Sequence, residues 1–145
     1  MEGILDEKRV FSSRNAYHAF CGSHSPLCRS NAFLNLAPKY RLKKAAWEIQ
    51  TRLNYARYKA IFAGRPVRVS FQPAGYTVEK YDENLKGWRP DVNGSIEGVK
   101  IEANNSPTFH LLGTVSNLAT ITVSNSWGKY RITLAISGRI KVALI

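Results

Sequence analysis

The chain has 145 residues and a net charge of +11, with a sequence pI near 10.0. That length suits one domain with one core, and 44% hydrophobic and 11% aromatic residues exclude a wholly disordered chain. No run of about 18 apolar residues occurs, which excludes a membrane-spanning helix, and the N-terminus lacks the apolar stretch of a secretory signal.

Residues 1–36 carry no sustained period and read as a poorly ordered segment ahead of a domain over 37–145. Within the segment, His18, Cys21, His24 and Cys28 are all competent zinc ligands, but their spacing matches no established zinc signature. Zinc binding, a Cys21–Cys28 disulfide and unbonded side chains stay open as readings, and no metal or other cofactor is expected.

Residues 39–63 read as a helix. Leu42, Ala45, Ala46, Ile49, Leu53, Ala56 and Ala60 recur at three- and four-residue steps and form one apolar stripe. Pro38 suits the first turn, Gly64 the position past the C-terminus, and Pro66 bars continuation. Arg57 and Lys59 are placed to complement the negative helix end. Trp47, off the stripe, is expected to pack at its edge or in the core.

Charge is concentrated here. Residues 39–68 hold nine basic residues (Lys39, Arg41, Lys43, Lys44, Arg52, Arg57, Lys59, Arg65, Arg68) against Glu48 alone. Such a block either solvates a helix face or attracts a polyanion such as nucleic acid or anionic lipid.

The period then changes from helical to two. Val67, Val69 and Phe71 alternate with polar residues, "QPAG" turns the chain, and "YTVEKY" (76–81) returns as a hairpin partner. "DENLKGWRPDVNGS" (82–95) reads as a loop, with Trp88 in it beside a glycine. Further strands are expected at 96–103, 108–113, 119–125, 130–137 and 139–145. Ile121 and Val123, then Ile132, Leu134 and Ile136, then Ile140, Val142 and Leu144 each bury one face. Trp127 sits in a turn, and His110 reads as a strand residue rather than a ligand. The fold class is α+β: a long helix roofed by a meander of antiparallel strands.

Enzyme signatures are missing. There is no glycine-rich phosphate loop, no GxSxG, no HExxH and no pair of carboxylates on a common face, so neither catalysis nor a small-molecule substrate is expected. Gly138-Arg139-Ile140-Lys141 differs from an ordinary strand. Arg139 and Lys141 point the same way about 7 Å apart, a spacing that suits successive phosphates, or else a charged strand edge that resists aggregation.

Taken in order, these segments resemble the GspH/FimT group of minor pilins and pseudopilins of type II secretion and type IV pilus machines. "APKYRLKKAAWEIQTRLNYARYKAI" is similar to the group's helix, whose end reads like "L..AR.EAI", with Leu53, Ala56, Arg57, Ala60 and Ile61 in those places. "GRPVRV" is like its step into the first strand, Gly87-Trp88 its frequent Gly-Trp, and "F..LG" (109–113) and "ISGRI" (136–140) its closing strands. The resemblance covers about residues 37–145 and implies a type IV pilin-like head that packs with other pilins or pseudopilins at the inner membrane and periplasm. It also implies an alternative, DNA capture, because some FimT-like members bind DNA through a Gly-Arg-x-Arg stretch. Here that stretch corresponds to residues 138–141, with Lys141 for the second arginine, which keeps the charge and loses the bidentate fork.

The front departs from the group. Members begin with a short basic leader and an apolar helix like "GFTLIELLVVLAII", whereas "CGSHSPLCRSNAFLNL" is polar and holds no Phe-x-x-x-Glu start. It is not expected to anchor the chain in a membrane or to be cut by a prepilin peptidase. An altered or frameshifted start, an engineered chain and a natural soluble variant all stay open.

Overall fold

The computed structural model describes residues 31–145, and Leu34–Ile145 form one compact unit. His18, Cys21, His24 and Cys28 lie outside the described residues. Helix α1 runs over Asn31–Ala63. It therefore starts earlier than position 39, and Pro38 lies inside it rather than in its first turn. A proline there removes one helical hydrogen bond, the one its N–H would make to Leu34. The same turn is tied to the head by Asn125 Nδ2, which donates to the Pro38 carbonyl at 2.7 Å. At the other end Gly64 adopts φ 61°, the left-handed cap that glycine takes without strain, and Pro66 follows.

Nine strands follow: β1 (Val67–Gln72), β2 (Gly75–Asp82), β3 (Gly87–Ser95), β4 (Lys100–Ala103), β5 (Thr108–Phe109), β6 (Val115–Ser116), β7 (Thr120–Ser124), β8 (Lys129–Leu134) and β9 (Ile140–Leu144). They form two antiparallel sheets, not one meander: β3-β2-β1-β5-β6 and β4-β7-β8-β9. The expected loop at 82–95 is mostly strand β3, leaving a four-residue turn at 83–86. Because β3 is an edge strand whose residues are half-buried or exposed, it shows no alternation of apolar and polar residues, and an edge accepts Pro90. The expected strand at 96–103 is cut by a turn at Glu97–Gly98, and 108–113 is a two-residue strand followed by a turn.

One core joins the three layers. Leu42, Ala45, Ala46, Ile49, Leu53, Ala56 and Ala60 of α1 are each 0–1% exposed. They pack with Val67, Val69, Tyr76, Val78 and Phe109 of the first sheet and Ile101, Ile121, Val123, Ile132 and Leu134 of the second. Four of the seven helix positions are alanine, so the backbone of α1 can approach the strands closely. The sheets supply most of the apolar volume.

Candidate assembly face and the contacts that position it

Polar contacts fasten the flanks of α1 to the head. Tyr76 is the first anchor. Its ring lies across Gly94, its partner in the β2–β3 register, where an added Cβ would come within 2.2 Å of the ring. The ring thereby reaches the helix. Arg52 Nε donates to the Tyr76 hydroxyl at 2.8 Å, and that hydroxyl donates to Glu48 Oε1 at 3.0 Å. Burial, and next the carboxylate of Glu48, hold the Tyr76 hydroxyl above the usual phenol range.

Asp91 is the second anchor. Val78 pairs with Val92 and Glu79 with Pro90, so Asp91 is the extra residue of a β-bulge. A bulge re-aims a side chain. Here it aims the Asp91 carboxylate at the helix, where it pairs with Lys59 and accepts from the Tyr55 hydroxyl at 3.4 Å, with Lys80 3.6 Å away. The hydrogen bond from Lys59 holds the Asp91 carboxyl below its usual range despite partial burial. Burial pulls Lys59 the other way, but Asp91 and Tyr55 together raise it.

A third junction gathers residues far apart in sequence. Arg57 Nη1 donates to the Gly138 carbonyl at 3.4 Å, and its guanidinium also lies against Gly113. Gly138 has φ 80°, and a Cβ there would stand 2.5 Å from the Gly113 carbonyl oxygen and 2.8 Å from Arg57 Nε. The helix motif "AR", the glycine of "F..LG" and the glycine of "SGRI" thus meet at one point.

These contacts revise the sequence reading of the charge block. Arg57 and Lys59 serve β-strands and turns, not the helix end, and the last turn of α1 contains no basic residue. Arg68 pairs with Glu79 at 2.7 Å and stacks 4.4 Å from the Trp88 ring, which meets Tyr81 edge-on. Lys39 lies 5.3 Å from the Trp127 ring. Among the described residues, Lys43, Lys44 and Arg65 have no acid within ion-pair distance.

The face of α1 opposite the core is aromatic. Tyr40, Lys44, Trp47, Thr51, Asn54, Tyr58 and Ile61 follow one another at alternating steps of four and three. The buried stripe Leu42, Ala46, Ile49, Leu53, Ala56, Ala60 has the same rhythm two residues later. Two residues are about 200° of helical rotation, so the two seams lie on opposite sides of one rod. Tyr40 is 67% exposed, Trp47 65%, Tyr58 57% and Ile61 40%, and the neighbouring Phe62 is 87% exposed. Trp47 is therefore neither core nor stripe edge. Large aromatics repeated along one solvent-facing side of a helix make that side a candidate contact surface. The signal was present in the sequence as a second heptad-like register, obscured by Lys44, Thr51 and Asn54 within it.

The C-terminal stretch is placed differently. Arg139 and Lys141 are exposed, while Ile140 and Val142 turn inward against the core. Lys141 pairs with Thr133, and Ala143 with Arg131, so Arg131 shares the outward face with Lys141. Lys129, two residues before Arg131, lies on that face as well. Sequence reasoning had not joined Lys129 and Arg131 to Arg139 and Lys141. The acid on this face, Glu102, is paired with Lys100 at 2.6 Å. His110 follows β5 directly and is not a strand residue, because the strand gives way to the turn after Phe109; its Nε2 lies 2.8 Å from the Ser116 hydroxyl. Among the described residues no group of three or more His, Cys, Asp or Glu could hold a metal, and no helix is long and apolar enough to cross a membrane.

Comparison with known proteins agrees with this geometry. A family model described as "Type II transport protein GspH" matches residues 45–138. The structure resembles that of the minor pseudopilin EpsH from the type 2 secretion system of Vibrio cholerae. The TM-score is 0.62 at 16% identity, over 72% of this chain and 97% of that one. It also resembles the type IV minor pilin FimU of Pseudomonas aeruginosa strain PAO1, with a TM-score of 0.61 at 17% identity, over 72% of this chain and 90% of that one. At such identities the likeness establishes the fold. No curated protein matches the sequence.

Proposed function

Because the chain belongs to the GspH family, we propose that it is a minor pilin or pseudopilin, a structural and non-catalytic subunit of a type II secretion system or type IV pilus. The observation that carries the reading is the double-seamed helix. One seam is used up in holding the head, and the other presents Tyr40, Trp47 and Tyr58 to solvent. A solitary globular protein gains nothing from that outer seam, whereas an assembly subunit needs a face that does not compete with its own core. The partners are other pilins or pseudopilins, and the head works on the periplasmic side of the inner membrane. The test is co-purification with the pilin-class subunits of its own cell, comparing wild type with Trp47→Ala plus Tyr58→Ala. Loss of the complex with an unchanged melting temperature supports the reading, and absence of any complex in wild type removes it.

A second reading, DNA capture, rests on the outward cations Lys129, Arg131, Arg139 and Lys141. The comparisons lend it no support. It requires duplex DNA binding with a steep salt slope that Arg139→Ala with Lys141→Ala makes shallower. Binding absent at low salt, or unaffected by the double change, removes it.

A further inference from the structure

The exposed seam of α1 has a shape as well as a composition. A shallow depression on it is lined by Tyr40, Lys43, Lys44, Trp47, Glu48 and Thr51. Positions 40, 43, 44 and 47 are related as i, i+3, i+4 and i+7, and so are 44, 47, 48 and 51. Four residues so spaced form the hole into which a facing helix inserts one side chain. The depression is thus two successive holes sharing Lys44 and Trp47, and the seam continues through Asn54, Tyr58 and Ile61, about 32 Å from Tyr40 to Ile61.

The rim of the first hole is cationic. Lys43 and Lys44 are exposed and have no acid within ion-pair distance among the described residues. Lys39 precedes them and leans over Trp127. Glu48, the acid at the second hole, already accepts the Tyr76 hydroxyl. A second copy of this chain set on the same holes would bring four lysines together, which like-charge repulsion disfavours. The holes favour a side-chain knob over a stacked base, because the aromatic rings are separated along the rod by charged and polar side chains.

We propose that the outer seam of α1 receives a helix from a different subunit, one with an aliphatic seam whose knobs enter beside Tyr40 and Trp47 and with Asp or Glu flanking that seam to meet Lys43 and Lys44. This rests on the assembly reading above and adds the partner's chemistry. The aromatic rings supply contact area, and the two lysines set which helix is accepted and in what register.

Full-length protein is titrated against two labelled helical peptides of about four heptads. Both carry the same Leu/Ala seam, one flanked by Glu and the other by Lys. The Glu-flanked peptide binds on the order of tenfold more tightly. Lys43→Glu with Lys44→Glu reverses the order, and Trp47→Ala weakens both peptides. Equal binding of the two peptides, a preference untouched by the double reversal, or tighter binding of an oligo-dT strand or anionic phosphatidylglycerol vesicles than of the Glu-flanked peptide overturns the proposal. In cells, a photo-crosslinker at Thr51 gives an adduct with a different pilin-class subunit, and the double reversal removes it. If the protein co-purifies with such subunits but Thr51 links only to its own copy or to nothing, this inference fails and the assembly reading stands. If it co-purifies with none, the assembly reading fails, whereas the peptide preference is decided by the titration alone.

Discussion

Gly138→Ala tests the junction at which Arg57, Gly113 and Gly138 meet, and Gly64→Ala is its internal control. Both glycines have positive φ, 80° and 61° respectively. An alanine at either position bears a left-handed backbone cost of about 1–2 kcal/mol. At Gly64 nothing lies within 4 Å of the new Cβ, so that cost is the whole effect. At Gly138 the Cβ meets a backbone oxygen, Gly113 O, at 2.5 Å and Arg57 Nε at 2.8 Å. A carbonyl inside a turn cannot rotate away as a side chain can, so the clash adds about 1–3 kcal/mol. The expected losses are therefore about 1–2 kcal/mol for Gly64→Ala and about 2–5 kcal/mol for Gly138→Ala. Urea denaturation with a shared m-value measures both. A cycle with Arg57→Ala recovers only part of the excess at Gly138, because the carbonyl contact remains. Equal losses at the two glycines would refute the reasoning, since the backbone term alone would then account for both.

Three further outcomes follow from the same contacts. Leu53, fully buried among small helix residues, leaves a cavity when cut to alanine; the expected loss is about 2–5 kcal/mol by urea denaturation, against under about 1 kcal/mol for the exposed Trp47→Ala. Asp91 has its folded-state pKa lowered by Lys59, so its contribution is fully present above the unfolded carboxylate value near 4 and is lost as the pH falls through the lower folded value. Wild type should therefore lose stability more steeply than Asp91→Asn as the pH is taken below about 4, with the two curves converging at the acid end. Tyr76→Phe removes the hydroxyl shared by Arg52 and Glu48 while keeping the ring over Gly94; it should cost about 1–2 kcal/mol, and no measurable loss would show that the two helix side chains find water instead.

Much of the architecture is legible in the residues one by one. The inner seam from Leu42 to Ala60 states both that 39–63 is helical and which side faces inward, because apolar positions at three- and four-residue steps can share one side only on a helix. Gly64 and Pro66 state where that helix stops. The alternation in Val67–Phe71, Ile121–Val123, Ile132–Leu134 and Ile140–Val142 states that these are half-buried strands, but Ile136 and Leu144, expected on the same inward faces, are exposed, since β8 ends at Leu134 and β9 at Leu144. Periodicity of this sort is local and is written wherever a segment has one wet and one dry side.

The remainder depends on who stands next to whom. β3 is an edge strand with no dry side, so nothing in "GWRPDVNGS" announces it, and the bulge that turns Asp91 toward Lys59 arises only from pairing with β2. The division of nine strands between two sheets is likewise a matter of non-local pairing. The basic block looked like a field for polyanions, but five of its nine members reach a residue elsewhere in the fold: Lys39 meets Trp127, Arg52 meets Tyr76, Arg57 meets Gly138, Lys59 meets Asp91 and Arg68 meets Glu79. Helix α1 carries two seams of equal rhythm, one aliphatic and small, the other aromatic with Lys44 within it and Lys43 beside it. Residue pattern established the inner seam; the outer one emerged only when the fold placed Trp47 in solvent, and the close approach that alanine permits, and that Tyr40, Trp47 and Tyr58 forbid, decided which one the head covers.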